Sequence, residues 1–177
     1  MNSKDYNNLD LDLKNVNSEI AGLIRNLVNE KVKTRKAARN RLVDLGNQVL
    51  PIIYGLFESK NSLLRWEASK VIQEIASHEA IPLLISLLEA EESEIRWIAA
   101  EGLIQVGRPS IKPLLEELIK QSEERHFLNA GAHHVLSVLF YEKEKEHFHE
   151  LLHKLRSIGL FESIPVLARK ALKEGTF

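Results

Sequence analysis

Two consecutive stretches of the 177-residue sequence decide the fold. Residues 64–88 read LRWEASKVIQEIASHEAIPLLISLL, and residues 95–119 read IRWIAAEGLIQVGRPSIKPLLEELI. Each stretch starts with apolar residues at helical spacing around an Arg-Trp pair, and each carries a second apolar run at its proline. Self-similarity of this kind predicts a repeat built from two helices.

The repeat has a period of about 31 residues that extends upstream of these stretches. Three prolines recur at intervals of 31 residues, and apolar, arginine and alanine residues recur at nearly the same interval. Small residues fall between the two helices, where a residue without a bulky side chain ends the first helix at low cost. The matched sets are Pro51, Pro82 and Pro113; Leu56, Leu87 and Leu118; Arg35, Arg65 and Arg96; Ala38, Ala68 and Ala99; and Gly46, Ala76 and Gly107.

These residues resemble the short HEAT-like repeats of the phycobilisome-lyase type, most clearly over about residues 33–120. A single helical hairpin cannot bury both of its apolar faces, so neighbouring hairpins must stack. The resemblance implies an all-α fold, a right-handed α-solenoid (alpha-alpha superhelix) of about five helical hairpins. In such folds the recurring arginines commonly bind neighbouring repeats.

The pattern also predicts how the chain is organised. We expect a flexible N-terminal tail over residues 1–16 and a single HEAT-like repeat domain over residues 17–177. Beyond residue 120 the pattern decays, as expected for a terminal repeat, because Phe127 takes the arginine position and Glu144 the proline position. The expected segments are a capping helix at 18–29 with Ser18 as N-cap, repeats at about 33–59, 61–90, 93–121 and 123–156, and a C-terminal capping helix at about 162–174.

Composition narrows the function classes. Lys and Arg (24) nearly balance Asp and Glu (25), so no overall field favours nucleic acid or an anionic membrane. The absence of cysteine excludes disulfides and thiolate metal ligands. The N-terminus lacks a cationic start followed by an apolar run, which argues against a signal peptide and favours a cytoplasmic protein.

We therefore expect a non-enzymatic scaffold for protein–protein interaction, with no catalytic residues and no cofactor. The concave face of a solenoid, formed by its second helices, is the usual binding surface for a protein or peptide partner. Trp66 and Trp97 lie about 160° around their helix from the buried alanines, so both rings are predicted to face outward as aromatic anchors. The predicted strip on the second helices comprises Tyr54, Glu58, Ile85, Glu89, Glu116 and Glu117.

A second hypothesis is metal binding, or a chromophore-handling, lyase-like activity, at the histidine-rich C-terminal end. His149-Glu150-Leu151-Leu152-His153 is an H-E-x-x-H sequence, which places two imidazoles on one helical face where they can share zinc or iron. His134 would complete a three-histidine set. The metzincin continuation is absent, and the lyase resemblance covers the repeat without any residue that carries chemistry.

A third hypothesis is nucleic-acid binding through the basic first repeat. Its candidate phosphate ligands are Lys31, Lys33, Lys36, Arg39 and Arg41. These cations wind around one helix and form no stripe across several repeats, which makes this the least favoured of the three.

Overall fold

The computed structural model describes residues 16–157, 159 and 161–177. The residues that it describes form eleven α-helices joined by short 3₁₀ turns, and they contain no strand. This result confirms the predicted all-α fold. Of the predicted N-terminal tail, residues 1–15 lie outside the described residues. No helix in the described ranges has the length and apolar character needed to cross a bilayer.

The chain divides into two compact units, Met1–Ala80 and Ile81–Phe177. In the first unit α2 packs against both α1 and α4, and α3 packs against α4. Its core consists of fully buried aliphatic side chains, among them Ile24, Leu27, Leu42, Ile53, Leu56, Leu64 and Ile72. The helices described in this unit are α1 (Ser18–Asn26), α2 (Val32–Leu45), α3 (Leu50–Gly55) and α4 (Ser62–Ile75).

The second unit contains two rows of helices. The row of first helices is α6 with α8, and the row of second helices is α5, α7 and α11, with α7 packed between the other two. The helices are α5 (Ile81–Leu87), α6 (Ser93–Val106), α7 (Ile111–Lys120), α8 (His126–Leu139), α9 (Glu142–His147), α10 (His149–Leu155) and α11 (Ile164–Glu174).

The last repeat differs from the predicted arrangement. Sequence order assigns α9 and α10 as the second helix of a repeat at 123–156 and leaves α11 as a separate cap. In the structure α11 stacks on α7, so it takes the place of the second helix, while α9 and α10 form an insertion that packs on α8 and α11. The reason is visible in the sequence: Ser163-Ile164-Pro165-Val166-Leu167 matches Ala80-Ile81-Pro82-Leu83-Leu84, which starts α5.

The turns between paired helices use left-handed or related backbone conformations at the three predicted positions. Gly46, Ala76 and Gly107 follow α2, α4 and α6 with φ values of 61°, 44° and 86°. The small residue between the helices is therefore a conformational requirement and not only a matter of space. Ala76 has ψ 43° and is fully in the left-handed helical region, which disfavours any residue with a Cβ atom.

Each recurring arginine ties its helix to the loop that precedes it. Arg35 donates to the carbonyl oxygens of Asn29 and Glu30 at 2.9 and 3.2 Å. At the next two repeat positions Arg65 donates to the carbonyl of Ser59, and Arg96 donates to those of Ala90 and Glu91 at 2.7 and 2.8 Å. The bond reaches back six residues in all three cases. By the predicted bounds Ser59 and Ala90 end the preceding repeats, and Arg35 Nε also donates to Glu67 Oε1 on α4 at 3.1 Å. The arginines thus link neighbouring repeats, as the resemblance implied.

Arg108 anchors the inserted α9. Its Nη1 and Nη2 form a two-point ion pair with Glu144 at 3.0 and 2.9 Å, and its guanidinium carbon lies 4.2 Å from the ring centroid of Tyr141. The hydrogen bond to Arg108 lowers the pKa of Glu144, and the same bond raises the pKa of Arg108. Arg108 also donates to the carbonyl of Leu139 at 3.1 Å, which ties it to the end of α8.

The N-cap of α1 is one residue earlier than predicted. The side-chain oxygen of Asn17 accepts the backbone N–H of Glu19 at 2.8 Å, and Ser18 is the first helical residue. Asparagine caps a helix as well as serine does, so the two neighbouring residues compete for the position. The prediction of Ser18 as the cap is therefore wrong.

Candidate interaction surfaces

The part of the predicted strip that lies in the first unit is accessible. Tyr54 on α3 is 58% exposed, and Glu58 in the following 3₁₀ turn is also exposed. Trp66 on α4 is only half-buried by comparison, and the ammonium group of Lys70 lies 5.6 Å from its ring centroid. Trp66 therefore presents less free aromatic surface than the helical pattern predicted.

The part of the strip in the second unit is not a free acidic surface. Ile85 is buried, with 7% of its surface exposed. Glu89 and Glu117 share Arg125: Nε donates to Glu89 at 2.8 Å, Nη1 donates to Glu117 at 2.7 Å, and Nη2 also contacts Glu89. Glu116 beside them is half-exposed. The prediction that Ile85 lines the strip is wrong, because its side chain is buried, and two of the strip's carboxylates are bound by Arg125.

Arg125 is the reason that the acidic residues of the strip are engaged in this unit. It is the residue just before α8, and its position follows no repeat register. The hydrogen bond from Arg125 lowers the pKa of Glu117, and Glu89 and Glu117 raise the pKa of Arg125. Both carboxylates are thus already paired with a cation of the same chain. In the sequence, the one indication of this pairing is the excess of acidic residues on the second helices, which favours a nearby cation.

The largest accessible aromatic group of the predicted set is Trp97 on α6, which is 59% exposed. Its ring stacks on His134 of α8, with centroids 4.8 Å apart and planes 28° apart. His134 Nε2 lies 2.9 Å from Glu101 Oε1, one helical turn beyond Trp97. Stacking on one side and the His134–Glu101 bond beneath it hold the indole in a fixed orientation.

Further apolar residues continue this surface along α8. Phe127 is 50% exposed and lies under the guanidinium of Arg96, 3.9 Å from ring centroid to Cζ. Val138, one turn after His134, is 52% exposed. We call Trp97, Phe127, His134 and Val138 the Trp97 face. Sequence reasoning identified Trp97 alone, although the seven-residue spacing of Phe127 and His134 on one helix could have indicated a shared face.

The predicted three-histidine metal set is not brought together. His134 is engaged with Glu101, while His149 and His153 are exposed on α10, with His149 Nδ1 3.0 Å from the carbonyl oxygen of Glu146. Among the residues with a described position, no three His, Asp or Glu side chains are arranged to hold a metal ion. His149 and His153 remain one turn apart on one helix, as the H-E-x-x-H sequence predicted.

Ion pairs engage part of the predicted basic cluster. Arg39 lies 2.6 Å from Glu67 and 3.0 Å from Glu74, with 14% of its side chain exposed. Arg41 pairs with Glu19 at 3.0 Å. Arg39 is thus a poor phosphate ligand, contrary to prediction, whereas Arg41 stays half-exposed in a surface ion pair. The remaining candidates, Lys31, Lys33 and Lys36, are exposed.

The comparison with protein families agrees with this architecture. A model of HEAT repeats matches residues 49–133, which lie largely within the region of resemblance. A comparison with curated proteins gave no match. The match is to HEAT repeats in general, and the phycobilisome-lyase type stays a prediction. With its helical hairpins, its 31-residue period and this match, the chain carries HEAT repeats over residues 49–133.

Proposed function

We propose that this chain is a protein-binding scaffold and that its Trp97 face is a principal contact for the partner. HEAT repeats commonly serve as scaffolds for protein interaction. The observation that carries the proposal is the 59% exposure of a tryptophan whose ring is already fixed by His134. Large aromatic side chains seldom stay exposed in a protein that has no use for the surface.

The fixed orientation favours binding because little side-chain freedom remains to be lost on association. Tryptophan is also the residue most enriched among those that dominate interface energies. Removing such an anchor commonly costs about 2 kcal/mol or more, which is roughly a 30-fold loss of affinity. We expect a partner with an apolar groove that receives the indole ring. The edge of that groove should carry polar or basic groups, because the Glu101 carboxylate lies beside Trp97.

The test compares two exposed aromatic residues on different surfaces. Trp97→Ala removes the anchor of the Trp97 face, while Tyr54→Ala removes the best exposed aromatic of the predicted second-helix strip; the two rings are 59% and 58% exposed. Each variant and the parent chain are used as bait in an extract of the source cells. Proteins captured by the parent are then purified and titrated by calorimetry against all three.

The proposal expects Trp97→Ala to weaken the purified complex at least tenfold, with Trp97→Phe intermediate and Tyr54→Ala close to the parent. Because the ring is mostly exposed, Trp97→Ala should change the free energy of unfolding by less than about 1 kcal/mol. Equal affinity of the Trp97→Ala and parent chains would reject the Trp97 face. A loss confined to Tyr54→Ala would assign the contact to the predicted strip instead.

A further inference from the structure

A cleft of about 420 Å³ separates α8 from the C-terminal end of α10. A second, adjacent cleft of about 550 Å³ shares His133 and Arg156 with it and adds two histidines of α10. Although the chain carries 25 acidic residues, no Asp or Glu in the described ranges lines either cleft. Two carboxylates lie just outside the linings: Glu142, 2.7 Å from Lys145 Nζ, and Glu124, 3.8 Å from His126 Nδ1. A cleft lined by histidines and an arginine favours an anionic ligand.

Arg156 supplies the uncompensated charge of this cleft. Its guanidinium makes no ion pair or hydrogen bond with any residue whose position is described. Lys145 in the adjacent cleft is already paired with Glu142 at 2.7 Å. Burial lowers the pKa of His133, and the charges of Arg156 and His134 lower it further, so that His133 is neutral at pH 7.

Two polar groups in the cleft wall suit an amide-bearing ligand. Asn129 is 4% exposed, and its Oδ1 has no hydrogen-bond partner among the described residues. A buried acceptor without a donor is rare in folded proteins, and rotation of the Asn129 amide, which turns Oδ1 toward the cleft, lets it accept from a ligand N–H group. The hydroxyl of Ser137 lies 3.3 Å from His133 Nε2, and when it donates there the neutral ring carries its proton on Nδ1 as a further donor.

We propose that this cleft binds the carboxy terminus of a peptide that ends in an apolar residue. The terminal carboxylate pairs with Arg156, the last peptide N–H donates to Asn129 Oδ1, and the apolar side chain lies against Leu155 and Phe127, which also line the cleft. A simple inorganic anion would satisfy the charge but offers no amide N–H and no apolar body. The cleft shares Phe127 with the Trp97 face but is not lined by Trp97, so a Trp97 variant and an Arg156 variant test the two proposals separately.

The first test uses the smallest compound with all three features, N-acetyl-leucine. Its binding is followed by two-dimensional NMR through the side-chain amide of Asn129 and the ring of His133. A ligand of this size is expected to bind with a Kd on the order of 1 mM. The comparison compounds are N-acetylleucinamide, which lacks the carboxylate, and inorganic phosphate. Random hexapeptides with free or amidated carboxy termini then separate a peptide ligand from a small free acid.

Matched variants assign the contacts. Arg156→Gln is expected to weaken N-acetyl-leucine about tenfold, the loss typical of a charge-assisted hydrogen bond, whereas Arg169→Gln on the exposed side of α11 leaves affinity unchanged. Asn129→Ala should weaken binding several-fold, with circular dichroism showing that the fold is retained. Trp97→Ala should have no effect.

The proposal is supported by binding that needs the free carboxylate and Arg156, together with tighter binding of the free-terminus peptides. Equal binding of N-acetylleucinamide would overturn it. Competition by phosphate at the same concentration would overturn it as well, since the cleft would then hold any anion. If free-terminus and amidated hexapeptides bound alike, the site would not be one for peptide termini.

Discussion

The backbone conformation at Ala76 predicts a stabilising substitution. A residue with a Cβ atom in the left-handed region loses about 1–2 kcal/mol relative to glycine. Glycine in turn increases the conformational entropy of the unfolded chain, which costs about 0.4–1 kcal/mol. Ala76→Gly should therefore raise the free energy of unfolding by roughly 0.8 kcal/mol, taking the middle of the two ranges. For a chain of this size that is an increase of about 2–3 °C in Tm.

The equivalent positions in the neighbouring repeats are glycines, so the opposite substitution, glycine to alanine, serves as the control there. Gly46 has φ 61° and ψ −138°, and Gly107 has φ 86° and ψ −154°, conformations that essentially only glycine adopts. A Cβ atom added at Gly46 would meet nothing within 4 Å, and one added at Gly107 would meet only Pro109 Cδ at 4.0 Å. Gly46→Ala and Gly107→Ala should thus cost about 1–3 kcal/mol through backbone strain alone.

Urea denaturation monitored by circular dichroism measures all three variants, with calorimetry as a second probe. The dependence on urea should stay the same, because none of the changes alters the buried surface. The reasoning is refuted if Ala76→Gly lowers the free energy of unfolding. It is equally refuted if Gly46→Ala and Gly107→Ala are as stable as the parent, since the positive φ values would then carry no energetic cost.

Three further predictions concern packing and charge. Glu67→Gln removes a carboxylate that is 3% exposed and bound by two arginines, so it should destabilise the chain by about 2–3 kcal/mol in urea denaturation; a loss below about 0.5 kcal/mol contradicts this. Gly131→Ala would place a Cβ atom 2.8 Å from Leu88 Cδ2 and should cost about 1–2 kcal/mol; in a double-mutant cycle Leu88→Val should relieve part of that cost, and strict additivity would exclude the clash. The lowered pKa values of Glu117 and Glu144 mean that the unfolded chain binds more protons at acid pH. Stability should therefore fall as the pH drops from about 4.5 through the folded pKa values, and Glu144→Gln should flatten this fall in unfolding measurements between pH 3 and 7.

Local signals in the sequence were sufficient for the hairpins and their turns. Gly46, Ala76 and Gly107 lie at one position of a 31-residue period because every pair of helices needs the same backbone reversal. The recurring arginines are equally regular, since each binds a carbonyl six residues upstream. Features of this kind depend on residues that are close together in the chain. They recur in every repeat, so the periodic sequence predicts them.

Features that depend on side chains from different helices were harder to read. Ile85 belongs to IPLLISL, which is apolar on almost all sides, so its pattern does not reveal an outward face. Arg125 neutralises Glu89 from a position 36 residues further along the chain, outside the repeat register. His134 resembled a metal ligand in sequence, yet it stacks on Trp97, because only the packing of α6 on α8 brings the two rings together.

The inserted α9 and α10 separate the residues that stack the hairpins from the residues that shape the cleft. The stacking of α11 on α7 uses residues outside the insertion, so the stacking order of the hairpins is set by residues outside α9 and α10. The cleft beside α8, in contrast, owes one of its walls to Leu155 and Arg156, at the insertion's far end. Substitutions there can change ligand preference while leaving the stacking order of the hairpins as it is, and related chains that lack the insertion would keep the repeat architecture and lose that wall.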